Sequence, residues 1–193
     1  MKRIMILVFA LALSVNYATG QTRSERKALK KEKREKAFKE LKDLIDSGNY
    51  QFVARRALPL GNDISRLNLM PNNVFQGNVV DLTSNPNYLK MQDDSLSVAL
   101  PFFGRVFRTV GTYGTANGIE FKGEYEDYKV KLKERKGMII INFDADNKHD
   151  FMQYTLSVGS LNYATLTVNT TNRQSITYQG TISPLEEGTD DSN

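Results

Sequence analysis

The chain contains no cysteine, which at once excludes a disulfide framework, thiol catalysis and a thiolate metal site. It also excludes the bacterial lipoprotein route, which needs a cysteine at the cleavage point to carry the lipid. Histidine is almost as scarce. His149 stands alone, so no histidine cluster can bind a metal and no catalytic arrangement can draw on two imidazoles. Long hydrophobic runs are missing too: the apolar stretch at residues 4–15 falls short of the ~20 residues that a membrane-spanning helix requires. Without disulfides, an exported domain depends on its core, and roughly 140 residues beyond the charged N-terminal segment suffice for one such core.

What the short apolar run does fit is an export signal. Lys2 and Arg3 precede it, Ala18, Thr19 and Gly20 follow as small residues at a cleavage site, and Gln21 begins the processed chain. Residues 1–20 are therefore read as a signal peptide. The protein is expected to be exported, to the periplasm or the extracellular space, with no transmembrane anchor.

Charge is unevenly divided. Residues 21–47 carry 10 basic against 6 acidic side chains, whereas the chain beyond them holds 14 basic and 16 acidic. The high isoelectric point belongs to one segment, and the rest offers no broad basic footprint for nucleic acid. That segment, placed at residues 21–48, is rich in Lys, Glu, Arg, Ala and Leu, which lose little rotamer freedom in a helix. Ala37, Phe38, Leu41, Leu44 and Ile45 recur at three- and four-residue spacing and form an apolar stripe over its last turns. Gly48 supplies the stop, since glycine takes the left-handed conformation without a Cβ clash.

From Tyr50 the period changes to two. Ile119, Phe121 and Tyr125 alternate with Glu120, Lys122 and Glu124, and Tyr128, Val130 and Leu132 alternate with lysines, as half-buried antiparallel strands require. The run Met138-Ile139-Ile140-Ile141 suggests burial on both faces or at a tight seam. Strands are expected at residues 50–57, 74–82, 88–92, 95–100, 151–158, 163–169 and 175–183, with Asp93-Asp94 as a two-residue hairpin turn. Their regular spacing implies an all-β domain over residues 49–185, an antiparallel meander that closes into a barrel or folds into a sandwich. Residues 186–193 read as a disordered polar tail.

Two local motifs stand out, FVARRALPLG at residues 52–61 and LPFFGR at residues 100–105. In their order after a signal peptide and a basic helix, they resemble an uncharacterised family of exported proteins from Bacteroidota-type bacteria, domain-of-unknown-function family 4251. The resemblance spans about residues 35–185. It implies a lipocalin-like β-barrel and brings no established activity or catalytic residue.

Candidate binding residues follow from chemistry. Phe102 and Phe103 are placed at the lip of an apolar pocket with Arg105 turned toward an anionic ligand, and the inward aromatics Phe121, Tyr128 and Tyr154 line a cavity. The structural alternative is that these rings plug and fill a barrel only just wide enough to be packed solid. No catalytic group is assigned: Glu120, Glu124, Glu126 and Asp127 occupy the wet side of strands, and Ser and Thr have no imidazole near them in sequence. Asp144, Asp146 and Asp150 alternate as calcium ligands do, but Lys148, His149 and Thr155 occupy positions that such a loop needs for other residues. The expectation is thus a non-catalytic, metal-free and cofactor-free binding protein of the envelope, whose partner is a small apolar or amphipathic ligand. The alternative is a protein-interaction or structural module that uses the barrel surface or the basic helix. Nothing in the residues sets the oligomeric state.

Overall fold

The computed structural model describes residues 23–60, 75–76, 79–83, 87–108, 118–147 and 150–185. The signal segment, the C-terminal tail and His149 lie outside them. The chain divides into two compact units, Met1–Lys36 and Ala37–Asn193.

Helix α1 (Arg23–Asp46) crosses that division, and its burial follows the apolar stripe. Leu41 and Ile45 are buried, and Phe38 and Leu44 pack against the core at its margin. The stop is built as the composition suggested. Gly48 takes φ 68° and donates its N–H to the Ile45 carbonyl, while the Ser47 hydroxyl donates to the Leu44 carbonyl at 2.7 Å. Asn49 then donates to Asp93 Oδ1 at 3.2 Å, which ties the helix end to a distant hairpin.

Among the described residues eleven antiparallel strands make one sheet: β1 (Tyr50–Pro59), β2 (Phe75–Gln76), β3 (Val79–Asp81), β4 (Tyr88–Gln92), β5 (Ser95–Pro101), β6 (Gly118–Glu124), β7 (Glu126–Lys133), β8 (Met138–Asp146), β9 (Phe151–Val158), β10 (Tyr163–Thr170) and β11 (Ile176–Pro184). The main path runs β6-β5-β4-β1-β11-β10-β9-β8-β7, with β2 and β3 as a small flap on β1. This is a meander with one substitution in its order, because the first strand sits between the last strand and β4. The nine-strand path forms a curled half-barrel, in keeping with the barrel-like fold expected.

Its two ends, β6 and β7, are consecutive in the chain with only Tyr125 between them. The length 118–133 therefore pairs with β5 through its first half and with β8 through its second. The curl returns onto one bent stretch of backbone. The bend is local: Asp127 takes φ 53° and the register with β8 slips between Glu126 and Lys129, a bulge that adds twist at a corner.

Alternation governs the core. β11 buries Ile176, Tyr178, Gly180 and Ile182 on one row, and β8 buries Ile139, Ile141, Phe143 and Ala145. Burial of the isoleucine run on both faces is not what forms: Ile140 faces out between Lys131 and Ser157 and is only half-buried. Phe143 stacks on Tyr154 with 5.0 Å between ring centroids and 11° between planes. Tyr50, Phe52, Phe143, Tyr154 and Tyr178 are all without exposed surface or nearly so, so aromatic side chains fill the centre.

Candidate functional site

The corner at Tyr125 leaves a cleft. About 360 Å³ in volume, it is lined by Ile45, Asp46 and Gly48 from the helix end, Tyr50 of β1, Met91 of β4, Tyr125, and Tyr128 and Val130 of β7. Each element is held there by a local device: the glycine stop delivers Asp46, the β4–β5 turn presents Met91, and the bulge after Glu126 brings Tyr128 and Val130 to the same cleft as Tyr125 at the corner.

Hydrogen bonds fix the phenols. The Tyr50 and Tyr128 hydroxyls lie 3.3 Å apart as donor and acceptor. Tyr125 donates its hydroxyl to the Asp93 carbonyl at 2.8 Å, so the corner clasps the β4–β5 turn, where Asp93 itself takes φ 49°. The rings of Tyr125 and Tyr128 are 5.4 Å apart and tilted by 48°, and both lie within 6.4 Å of Phe143. An aromatic line thus runs from Tyr154 in the core to the cleft mouth.

Burial pushes the Tyr50 phenol far above its ordinary range, helped by its neighbours Tyr128 and Tyr125. Tyr128 is raised by burial and by the Asp46 carboxylate, against a hydrogen bond from Tyr50 that works the other way. Tyr125 is raised by burial, then by Tyr128, Asp94 and Asp93. At neutral pH all three are therefore hydroxyls, able to donate and accept hydrogen bonds but unable to act as phenolate bases. The lining holds no imidazole and no amine. Among the described residues no group of three or more Asp, Glu or His side chains could hold a metal.

Of the six predicted binding residues, only Tyr128 lines this cleft. Tyr154 and Phe121 are buried in the core, where the Tyr154 hydroxyl donates to Met152 Sδ at 3.3 Å. Phe102, Phe103 and Arg105 follow β5 at its far end. There Phe102 is buried under the Arg173 guanidinium, 5.3 Å from its ring centroid, and Phe103 packs against the core margin. Arg173 also donates to the Gly118 carbonyl and lies 4.0 Å from Asp150, and Tyr178 donates its hydroxyl to the Pro101 carbonyl at 2.8 Å. Arg105 is exposed, and its backbone exchanges hydrogen bonds with Gln174. The LPFFGR motif therefore plugs one end of the barrel, and the guanidinium that lies against its aromatic ring belongs to Arg173.

Sequence reasoning missed Ile45, Asp46, Gly48, Tyr50, Met91, Tyr125 and Val130 as a group. One signal was available. The inward series keeps an even spacing through Ile119, Phe121 and Tyr125, then steps by three to Tyr128, and an odd step inside a strand pattern marks a bulge and a re-aimed side chain.

No curated protein matches this chain. A crystal structure of a DUF4251 family protein from Bacteroides eggerthii, 18% identical in sequence, superposes with a TM-score of 0.52 over 77% of this chain and 87% of that one, a likeness of fold alone. The sequence model described as Domain of unknown function (DUF4251) matches residues 32–182, most of the length on which the helix end, the sheet and the corner are built, and the chain belongs to that family.

Proposed function

We propose that this is an exported, non-catalytic binding protein of the bacterial envelope, holding a small apolar or amphipathic ligand at the cleft beside Tyr125. The observation that carries the reading is the cleft's make-up: about 360 Å³, at the lower end of the size of small-molecule sites, with Ile45, Met91 and Val130 for apolar contact and phenols for orientation. The filled centre argues for this position over the barrel interior. Export is supported by the signal-like residues 1–20, and a lining that offers one carboxylate, Asp46, with no imidazole, amine or second acid to work with it, supports binding without turnover.

Native mass spectrometry of protein purified from its own cells tests the reading. The expected spectrum shows a chain beginning at Gln21 and carrying an adduct of constant mass, and the adduct is lost from a Tyr128→Ala variant. A uniformly bare mass, or an adduct that survives the substitution, contradicts it.

A second reading has its own observation. Residues 23–36 carry eight basic and three acidic side chains, every one exposed, in a unit separate from the barrel. An acidic envelope partner suits that surface. In-cell crosslinking should then yield one dominant product that disappears when residues 23–36 are deleted; an unchanged product excludes the helix.

A further inference from the structure

The cleft has charge of one sign only. Asp46 is its sole formally charged lining residue, and no lysine or arginine lines it. Asp93 and Asp94 stand close enough to act electrostatically on Tyr125, as Asp46 acts on Tyr128. Asp46 pairs with Lys42 one turn up the helix, with Nζ 3.9 Å from the carboxylate, exposed, and outside the lining. A pair of that kind is weak and readily exchanged for another cation.

The accessible walls narrow the choice further. Tyr50 and Met91 form a sealed floor, with 0% and 1% of their surface exposed, so a ligand meets chiefly Tyr125, Tyr128, Val130 and Asp46. Both ring hydroxyls are already engaged, Tyr125 with the Asp93 carbonyl and Tyr128 with Tyr50. What remains for a ligand is the outer ring surface of a tilted pair, with centroids 5.4 Å apart and 48° between planes, beside the Asp46 carboxylate. Ring faces carry negative potential and attract ammonium groups, most strongly where water is partly excluded. A carboxylate or phosphate placed there would meet ring faces and Asp46 and find no cationic donor.

Given that the cleft is a ligand site, on which this inference rests, we propose that its ligand is an organic ammonium, primary or methylated, bearing a short apolar tail. The head sits on the outer face of the Tyr125–Tyr128 pair against Asp46, and the tail runs along Val130 toward Ile45.

Three probes of equal tail length separate the possibilities when titrated into the processed chain below their micelle concentrations: octyltrimethylammonium, octyl glucoside and octanoate. Calorimetry gives affinity, and NMR of the Met91 methyl and the tyrosine rings gives the location. The trimethylammonium probe should bind at the cleft about ten-fold more tightly than the glucoside, with octanoate weakest. Asp46→Asn, an exposed substitution that leaves the fold intact, should weaken the ammonium probe about five-fold and leave the glucoside unchanged. Tighter binding of the glucoside or octanoate at the cleft, or an ammonium affinity indifferent to Asp46→Asn, overturns the ligand class and leaves the cleft a binding site. Failure of all three probes to move the Met91 or tyrosine signals overturns the binding reading and the ligand class together.

Discussion

Gly180 gives the sharpest test of how the sheet closes. It lies on the inner row of β11 between Tyr178 and Ile182, opposite Ala54, where β1 slips register between Ala54 and Arg56. A methyl group placed there would run into the Val53 carbonyl oxygen, with the Val53 carbonyl carbon at 2.8 Å and the Ala54 Cα at 3.0 Å. All three obstacles are backbone, so no side-chain rotation relieves the clash and one strand must move against the other. Gly180→Ala should then cost about 3 kcal/mol, the upper part of the range for overpacked sites. For a domain of this size that removes a large fraction of the total stability and lowers the melting temperature by about 6–12 °C. Gly159→Ala is the matched control: its φ of −109° suits any residue and the nearest atom to the new methyl, the Tyr163 carbonyl oxygen, is 3.9 Å away. That variant should be neutral or up to about 1 kcal/mol more stable. Urea denaturation followed by circular dichroism measures both. If Gly180→Ala falls within about 0.5 kcal/mol of the parent, or matches Gly159→Ala, β1 and β11 do not approach as described and the reasoning fails.

Other consequences follow from the same geometry. Arg173→Met removes the guanidinium from the Phe102 ring and from Asp150 and should destabilise by about 2 kcal/mol, whereas Arg105→Ala on the exposed side of the motif should change stability by less than about 0.5 kcal/mol; equal melting temperatures would contradict the assignment of the plug to Arg173. Burial raises the phenols of Tyr50, Tyr154 and Tyr178, so above pH 10 the unfolded chain loses protons that the folded chain keeps. Stability should therefore be level with respect to these groups below pH 10 and fall above it by about 1.4 kcal/mol per pH unit for each. Phenolate absorbance from them should appear together with loss of the sheet, and its appearance in a folded protein at pH 11 would refute their burial. Removal of residues 1–36 should shift the melting temperature by no more than about 2 °C, while Leu41→Ala should cost about 2–4 kcal/mol, because the helix is anchored through Leu41 and Ile45; the reverse ranking in thermal melts would place the anchor elsewhere.

Much of the fold was legible because a two-residue period is a local signal. The alternation of Phe151–Val158 gave that strand its observed limits, and the Asp93-Asp94 hairpin and the Gly48 stop followed from turn chemistry in a few residues each. The isoleucine run misled because four apolar residues in a row carry no phase, and only the partners Lys131 and Ser157 determine which of them faces water. Closure was harder to read. That β1 lies between β4 and β11 depends on pairings across most of the chain, and the clearance at Gly180 exists only once those strands have met.

The site was the least legible part. Tyr50 and Tyr128 touch across 78 positions, and Asp46 joins them from a helix whose sequence marked its apolar stripe but not which polar residue would meet the cleft. Aromatic residues were identified as inward-facing, correctly for Tyr154 and Phe121, but a period of two gives direction and not depth. It cannot separate a ring stacked in the core from one at a cleft mouth. LPFFGR drew attention through its composition, and its burial under Arg173 accounts for that composition by packing.

Among the described residues the barrel is packed through its middle, and the proposed ligand position is the cleft beside its corner. Methyl NMR of the processed protein, with and without ligand taken from its own envelope, tests it most directly, using Met91 and Ile45 as probes of the cleft and Met152, Ile139 and Ile141 as probes of the interior. Ligand-dependent shifts are expected at Met91 and Ile45 with the interior methyls unmoved; shifts centred on Met152 and Ile141 would place the ligand inside the barrel and refute the cleft.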